Sequence, residues 1–273
     1  MTPSANSIDE TSAIQDFYDA FAPHYDAFYE LIDYPAWAAI MQQQLDELLP
    51  APRRILEAGC GTGAMLCEIA KYPGQSCVGV DVSSGMLQVC RSKLKFEPKV
   101  ELAQSDLFAL GFQTECFDAV LGAFSLLNFF PSFCRKDLLK EVWRILKPGG
   151  IFLTDYFTTH RYQQLLQALA QGREASHQEP VFTISQIFPT QSSQSAPSFV
   201  AHDQLMCERI LRVGGQILKH PLYFIDPQQM ALDFSAMGFQ IVDKISLVRD
   251  SSATAPNRVT LIGRKPCPSF TSK

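Results

Sequence analysis

The chain has 273 residues, 47% of them hydrophobic, and a formal net charge of −5. That length and apolar content suit one domain with a sizeable core. The acidic balance favours neither nucleic acid nor an anionic membrane surface as a partner. No apolar run reaches the ~20 residues of a bilayer span, and the polar start carries no charged-then-apolar leader pattern. The eight cysteines include no C-x-x-C pair and no cysteine–histidine spacing for a metal, so no metal is expected. Most sit in apolar runs, as reduced core cysteines do. A soluble cytoplasmic protein is expected.

Residues 1–10 read as frayed. From Thr11 a helical, aromatic pattern follows (Phe17, Tyr18, Phe21, Tyr25, Phe28, Tyr29), interrupted by Pro23. Asp33-Tyr34-Pro35 opens a further helix, 36–49, which Pro50 and Pro52 close. An alternation of apolar runs and amphipathic segments comes next. Strands are predicted at 53–58, 76–82, 100–103, 117–122 and 151–156, with helices at 64–72, 84–96 and 134–146. Lys147-Pro148-Gly149-Gly150 reads as a stop and turn. Strand–helix alternation at this spacing predicts a parallel sheet with helices on both faces. After Thr158 a helix is predicted at 160–171 and a long loop at 178–198, rich in Ser, Gln and Pro. Segments 199–212 and 216–224 flank Val213-Gly214-Gly215, a hairpin signal. Asp226-Pro227 caps a helix to Met237, and strands follow at 240–248 and 258–264.

The organising stretch is Ile55-Leu56-Glu57-Ala58-Gly59-Cys60-Gly61-Thr62-Gly63-Ala64. A strand runs into a glycine turn and then a helix, with an acid just before the glycines. Glycines let backbone N–H groups approach a ligand, and the helix N-terminus adds partial positive charge. Gly59, Gly61 and Ala64 also satisfy the dinucleotide pattern G-x-G-x-x-G/A. Asp81 ends the second strand roughly 20 residues on, where an acid can hold ribose hydroxyls. Asp106 follows the third strand and could accept from an adenine amine. These residues alone leave a nicotinamide dinucleotide and an adenosyl cofactor both open. The aromatic helices ahead of the first strand suit a cover over a small cationic ligand, because ring faces attract cations.

Taken together, the chain resembles the class I S-adenosylmethionine-dependent methyltransferases, in their small-molecule subgroup, over residues 10–265. The resemblance rests on Glu57–Gly63, Val78–Ser83 with Met86-Leu87, Ser105-Asp106, Phe117–Val120 and Leu146–Gly150. It implies a Rossmann-like seven-stranded sheet with helices on both faces and an antiparallel last strand. It also implies S-adenosylmethionine as cofactor. Gly59, Gly61 and Gly63 would then pack under the methionine portion and ribose, with Glu57 near the amino group. Asp81 would hold the ribose and Met86 the adenine. Asp106 and Leu107 would meet the adenine edge, and Ala123 or Phe124 would line the path to the sulfonium. Tyr18, Tyr25 and Asp26 match a Tyr-x(6)-Tyr-Asp pattern that covers the cofactor in such enzymes; Trp37 reads as core packing.

Within a single domain, residues 11–50 are expected as a helical lid and 53–158 as the cofactor-binding core. Residues 159–225 are expected as an inserted loop and hairpin over the acceptor, and 226–265 as the closing helix and strands. His24, His202, His220 and Tyr156 are the candidates for a base or acceptor contact. The expected activity is methyl transfer to nitrogen or oxygen of a small molecule, by a monomer or homodimer. The competing readings are an NAD(P)-dependent oxidoreductase, for which no Tyr-x-x-x-Lys pair is found at a plausible place, and a non-catalytic S-adenosylmethionine-binding protein.

Overall fold

The computed structural model describes residues 5–95, 99–171, 183–188, 205–245 and 257–268. Three helices come first: α1 (Ala5–Phe21), the short α2 (Tyr25–Phe28) and α3 (Tyr34–Leu48). A 3-10 turn over Ala22–His24 joins the first two, at Pro23. Asp33 starts α3 by accepting from the Ala36 amide at 3.0 Å, the capping role its short acidic side chain suits.

The alternating section follows as β1 (Arg53–Ala58), α4 (Ala64–Ala70), β2 (Gln75–Asp81), α5 (Ser84–Lys93), β3 (Val100–Gln104), β4 (Phe117–Gly122), α6 (Ser132–Ile145) and β5 (Leu146–Phe157). The remainder is α7 (Thr159–Ala170), β6 (Thr183–Phe188), β7 (Leu205–Val213), β8 (Gln216–Phe224), α8 (Pro227–Ala236), β9 (Gln240–Ile245) and β10 (Arg258–Arg264).

The main sheet has seven strands in the order β3-β2-β1-β4-β5-β10-β9. β10 runs antiparallel to both neighbours, and the rest run parallel to one another. Period-two alternation sends side chains to two apolar layers. Leu56, Val78, Val120, Phe152 and Leu261 face α6 and α8. Ile55, Cys77, Ala119, Leu153 and Ile262 face α3, α4 and α5. The strand order reverses between β1 and β4, and in such sheets the crevice beyond the strand ends at that point receives ligands.

Three expectations change. Helix α1 already begins at Ala5, inside the stretch read as frayed. The Lys147–Gly150 turn is drawn into β5 as an irregularity: Gly149 takes φ +82°, and the pairing with β4 jumps from Phe117–Leu146 to Ala119–Ile151. The loop expected at 178–198 contains β6, which pairs antiparallel with β7. The hairpin of β7 and β8 is thereby part of a three-stranded sheet. The rest of that loop, residues 199–204 and residues 246–248 lie outside the described residues.

Candidate active site

A cavity of about 380 Å³ opens beyond the ends of β1, β2, β4 and β5. Its floor starts at the glycine turn. Gly59, Gly61 and Gly63 all hold positive φ, between +54° and +76°, which suits residues without a Cβ. The three face different neighbours. A Cβ on Gly59 would lie 2.7 Å from Leu126 Cδ1, and one on Gly63 would strike Cys90 Sγ of α5, whereas one on Gly61 would meet nothing within 4 Å. Gly61 therefore offers its bare backbone to the cavity. Gly63 lies off the cavity wall and lets α4 and α5 pack closely, a correction to its expected place under the cofactor.

Asp81 ties this turn to β2. One carboxylate oxygen accepts from the Gly61 amide at 2.8 Å, the other from the Ser83 amide at 2.9 Å. Burial raises its pKa, against these backbone donors. Glu57 is buried, lines the cavity, and has one carboxyl oxygen with no hydrogen-bond partner. Burial first, then the nearby Cys90 and Asp81, push its pKa well above the ordinary value. Asp106 lines the far end beside Leu107, accepting from the Phe108 amide at 2.9 Å and the Thr11 hydroxyl at 3.2 Å. Val82 lines the cavity, whereas Met86 is fully buried with Phe17, Phe21 and Leu211. Ser83 caps α5 through the Met86 amide at 3.0 Å, and that first helical turn packs against α1. Met86 is thus a core residue and does not reach the cavity.

Besides Thr11, Asp19 and Asp26 tie the N-terminal helices to the core by hydrogen bonds. Asp19 accepts from the Ser83 hydroxyl at 2.6 Å and the Gly85 amide at 2.8 Å. Asp26 accepts from the Thr62 hydroxyl and from Lys93, each at 2.7 Å. Tyr18 and Tyr25 then line the cavity with Tyr29 and Tyr34. Trp37, expected in the core, borders the cavity and carries Arg258 over its ring at 4.6 Å.

Ala123 and Phe124 also line the cavity, just past β4. Phe124 and Ser125 take φ of +56° and +63°, a conformation costly for residues with a Cβ. Asp155 holds them there, accepting from the two amides at 2.8 and 2.9 Å. Arg258 of β10 in turn donates to Asp155 at 2.6 Å. Sequence reasoning did not single out Asp155 and Arg258, because they come from distant strands.

The catalytic candidates lie elsewhere. Alternation along β5 turns Asp155 toward this loop and Tyr156 into the opposite core layer, where it is fully buried. His24 packs beside Gly214 at the β7–β8 turn, off the cavity wall. The His220 ring is buried between Phe17 and Phe129, and its Nδ1 donates to the Pro221 carbonyl. Burial lowers its pKa to about 4, and it too stays off the cavity wall. His202 lies outside the described residues. What the inserted sheet does bring to the cavity is Arg209 and Leu222. An arginine within the apolar run Cys207–Leu211 was the available signal for the first.

Residues 55–150 match the model of a methyltransferase domain family. The crystal structure of an S-adenosylmethionine-dependent methyltransferase from Clostridium acetobutylicum superposes with a TM-score of 0.65, covering 91% of this chain and 99% of that one at 18% identity. The chain thus shares its fold with that structure, and its residues 55–150 are similar to a methyltransferase domain. A demethylmenaquinone methyltransferase of Lactococcus lactis is 31% identical over 144 residues, 50% of this chain and 55% of the relative. One of Bacteroides fragilis is 31% identical over 166 residues, 58% of this chain and 65% of the relative. The matches thus span little more than half the length of these curated relatives. Among the described residues, no helix is long and apolar enough to cross a membrane.

The cavity fits the methyltransferase cofactor. Glu57 places an unpartnered carboxyl oxygen where an ammonium could pair with it. Gly61 leaves its side of the turn open, and Asp81 keeps acceptor capacity beside it.

Proposed function

We propose that the protein transfers a methyl group from S-adenosylmethionine to a small, aromatic acceptor at nitrogen or oxygen. The observation that carries this reading is the unpartnered Glu57 oxygen beside the open face of Gly61. Glu57 would bind the cofactor's amino group, Asp81 the ribose hydroxyls, and Asp106 with Leu107 the adenine. The bound cofactor supplies an activated sulfonium methyl, whose carbon–sulfur bond breaks as the bond to the acceptor forms. The protein's task is then placement and desolvation. Tyr18, Tyr25, Tyr34 and Trp37 would cover the site, and the Phe124–Ser125 loop would border the acceptor's approach.

No histidine lines the cavity among the described residues, so this reading assigns no histidine base. The acceptor would arrive with its lone pair available or lose its proton to water. A second reading, methylation at a ring carbon of a reduced quinone, draws on the names of the curated relatives and on the aromatic lining. Calorimetric titration with S-adenosylhomocysteine tests the cofactor site. Asp81→Ala should cost on the order of 2–4 kcal/mol of binding, for two lost hydrogen bonds. Unchanged affinity would reject the ribose role. Tritium transfer from labelled cofactor into an extract of small molecules tests the activity, and mass analysis of the product identifies the atom methylated.

A further inference from the structure

The inserted sheet contributes a charge to the cavity that the proposed methyl transfer does not use. Arg209 stands in the middle of β7, opposite His220 of β8. It is only 2% exposed, yet it borders the cavity. It donates to the hydroxyls of Tyr29 and Tyr18, from the N-terminal helices. Its guanidinium carbon lies 5.5 Å from the Phe17 ring and 5.8 Å from the Phe129 ring. Burial pushes the Tyr18 hydroxyl well above its ordinary pKa, so it remains a neutral dipole that orients the guanidinium.

Four carboxyl side chains line the cavity, one of them Asp33 at the start of α3. Glu57, Asp81 and Asp106 stand at the strand ends, on the side assigned to the cofactor. The other lining guanidinium, Arg258, is held by Asp155 at 2.6 Å. Arg209 comes from the inserted sheet, with its guanidinium near the Phe129 ring, and Leu222 of the same sheet also lines the cavity. Burying a cation is costly. A latch between helices and sheet could be built from neutral groups, so the charge itself calls for a use. A guanidinium is the side chain best shaped to hold a carboxylate or phenolate.

We propose that Arg209 is the binding subsite for an anionic oxygen of the acceptor, carried on an aromatic ring that packs against Phe129 and Leu222. This rests on the methyl-transfer reading above and narrows its substrate class to aromatic acids and phenolates.

The test uses 2-naphthoate and its neutral counterpart 2-naphthamide as probes, titrated into the full chain saturated with S-adenosylhomocysteine. Wild type should bind the acid about tenfold more tightly than the amide, the size of one charge-assisted contact. Arg209→Gln should erase that preference while keeping affinity for S-adenosylhomocysteine, and Arg209→Lys should restore part of it. Equal binding of the two probes by wild type, or a preference that survives in Arg209→Gln, overturns the proposal. So does a loss of S-adenosylhomocysteine affinity in Arg209→Gln with 5′-methylthioadenosine affinity intact, because the anion is then the cofactor's own carboxylate. If Arg209→Gln fails to fold, Tyr29→Phe decides: losing the orienting hydroxyl should shrink the preference several-fold, and an unchanged ratio overturns the idea. Should wild type not bind S-adenosylhomocysteine, the methyl-transfer reading falls, and the acid-to-amide ratio of the unliganded protein still decides Arg209.

Discussion

Arg258 donates to Asp155 at 2.6 Å, across the antiparallel pairing of β10 with β5. Asp155 is fully buried and passes that support on to the Phe124 and Ser125 amides. The last strand of the sheet thus fixes a strained loop at the end of the fourth. Asp155→Asn leaves Arg258 without its counter-charge and gives up one amide acceptor. We expect about 3–5 kcal/mol of lost stability, the usual cost of breaking a buried pair from one side. Urea denaturation measures it. A loss under 1 kcal/mol would mean that the pair does not hold the loop.

Glu57 gives a proton linkage. Burial raises its carboxyl well above the ordinary 4.5, so the folded chain binds this proton more tightly than the unfolded one. Its contribution to stability is full below that ordinary value and falls as pH rises toward the raised folded value. An ammonium placed beside it reverses the shift, so cofactor binding should release a proton inside that window. Titrations with S-adenosylhomocysteine in two buffers of different ionisation enthalpy should differ for wild type and agree for Glu57→Gln. Identical wild-type heats would remove the ammonium contact from the account.

His220 behaves oppositely. Burial lowers its pKa from 6.5 to about 4. The unfolded chain therefore takes up the proton first, and stability present above 6.5 is lost progressively as pH falls toward 4. His220→Phe should flatten this part of the stability profile and leave the pH dependence of turnover unchanged. A shifted turnover profile would restore His220 as a candidate base.

The glycine turn separates two effects. A Cβ on Gly61 meets only open cavity, whereas one on Gly63 collides with Cys90. Gly61→Ala should fold, at a cost of about 1–2 kcal/mol for its positive φ, and lose most of its affinity for S-adenosylhomocysteine. Gly63→Ala should be destabilised beyond that, as its collision adds overpacking to the same strain. Thermal unfolding and calorimetry on both variants separate them; equal stability would contradict the packing role of Gly63.

The strand-end side of the cavity was legible because its signals are local. Glu57, Gly59, Gly61, Asp81 and Asp106 each sit at the end of a strand whose start and stop are written in neighbouring residues, and all reach the cavity. Met86 and Gly63 follow the same pattern but face α1 and α5, because tertiary packing, which these local signals do not encode, decides which neighbour each one meets. What the rest of the chain brings to the cavity was much less legible. His24 and His220 fall on elements that pass near the cavity, but their rings point elsewhere. Tyr156 faces away because strand alternation gave the cavity side to Asp155.

The sequence by itself determined the alternation of strands and helices over residues 53–157, the glycine turn and the acids at the strand ends, since periodicity, turn chemistry and capping act over a few residues. Only the tertiary structure decided which chain-distant groups share a wall. Arg209 meets Tyr18 and Tyr29 because β7 packs against the N-terminal helices, and Asp155 meets Arg258 because β10 enters the sheet beside β5. Those pairings depend on how apolar faces are buried against one another, a long-range outcome of packing.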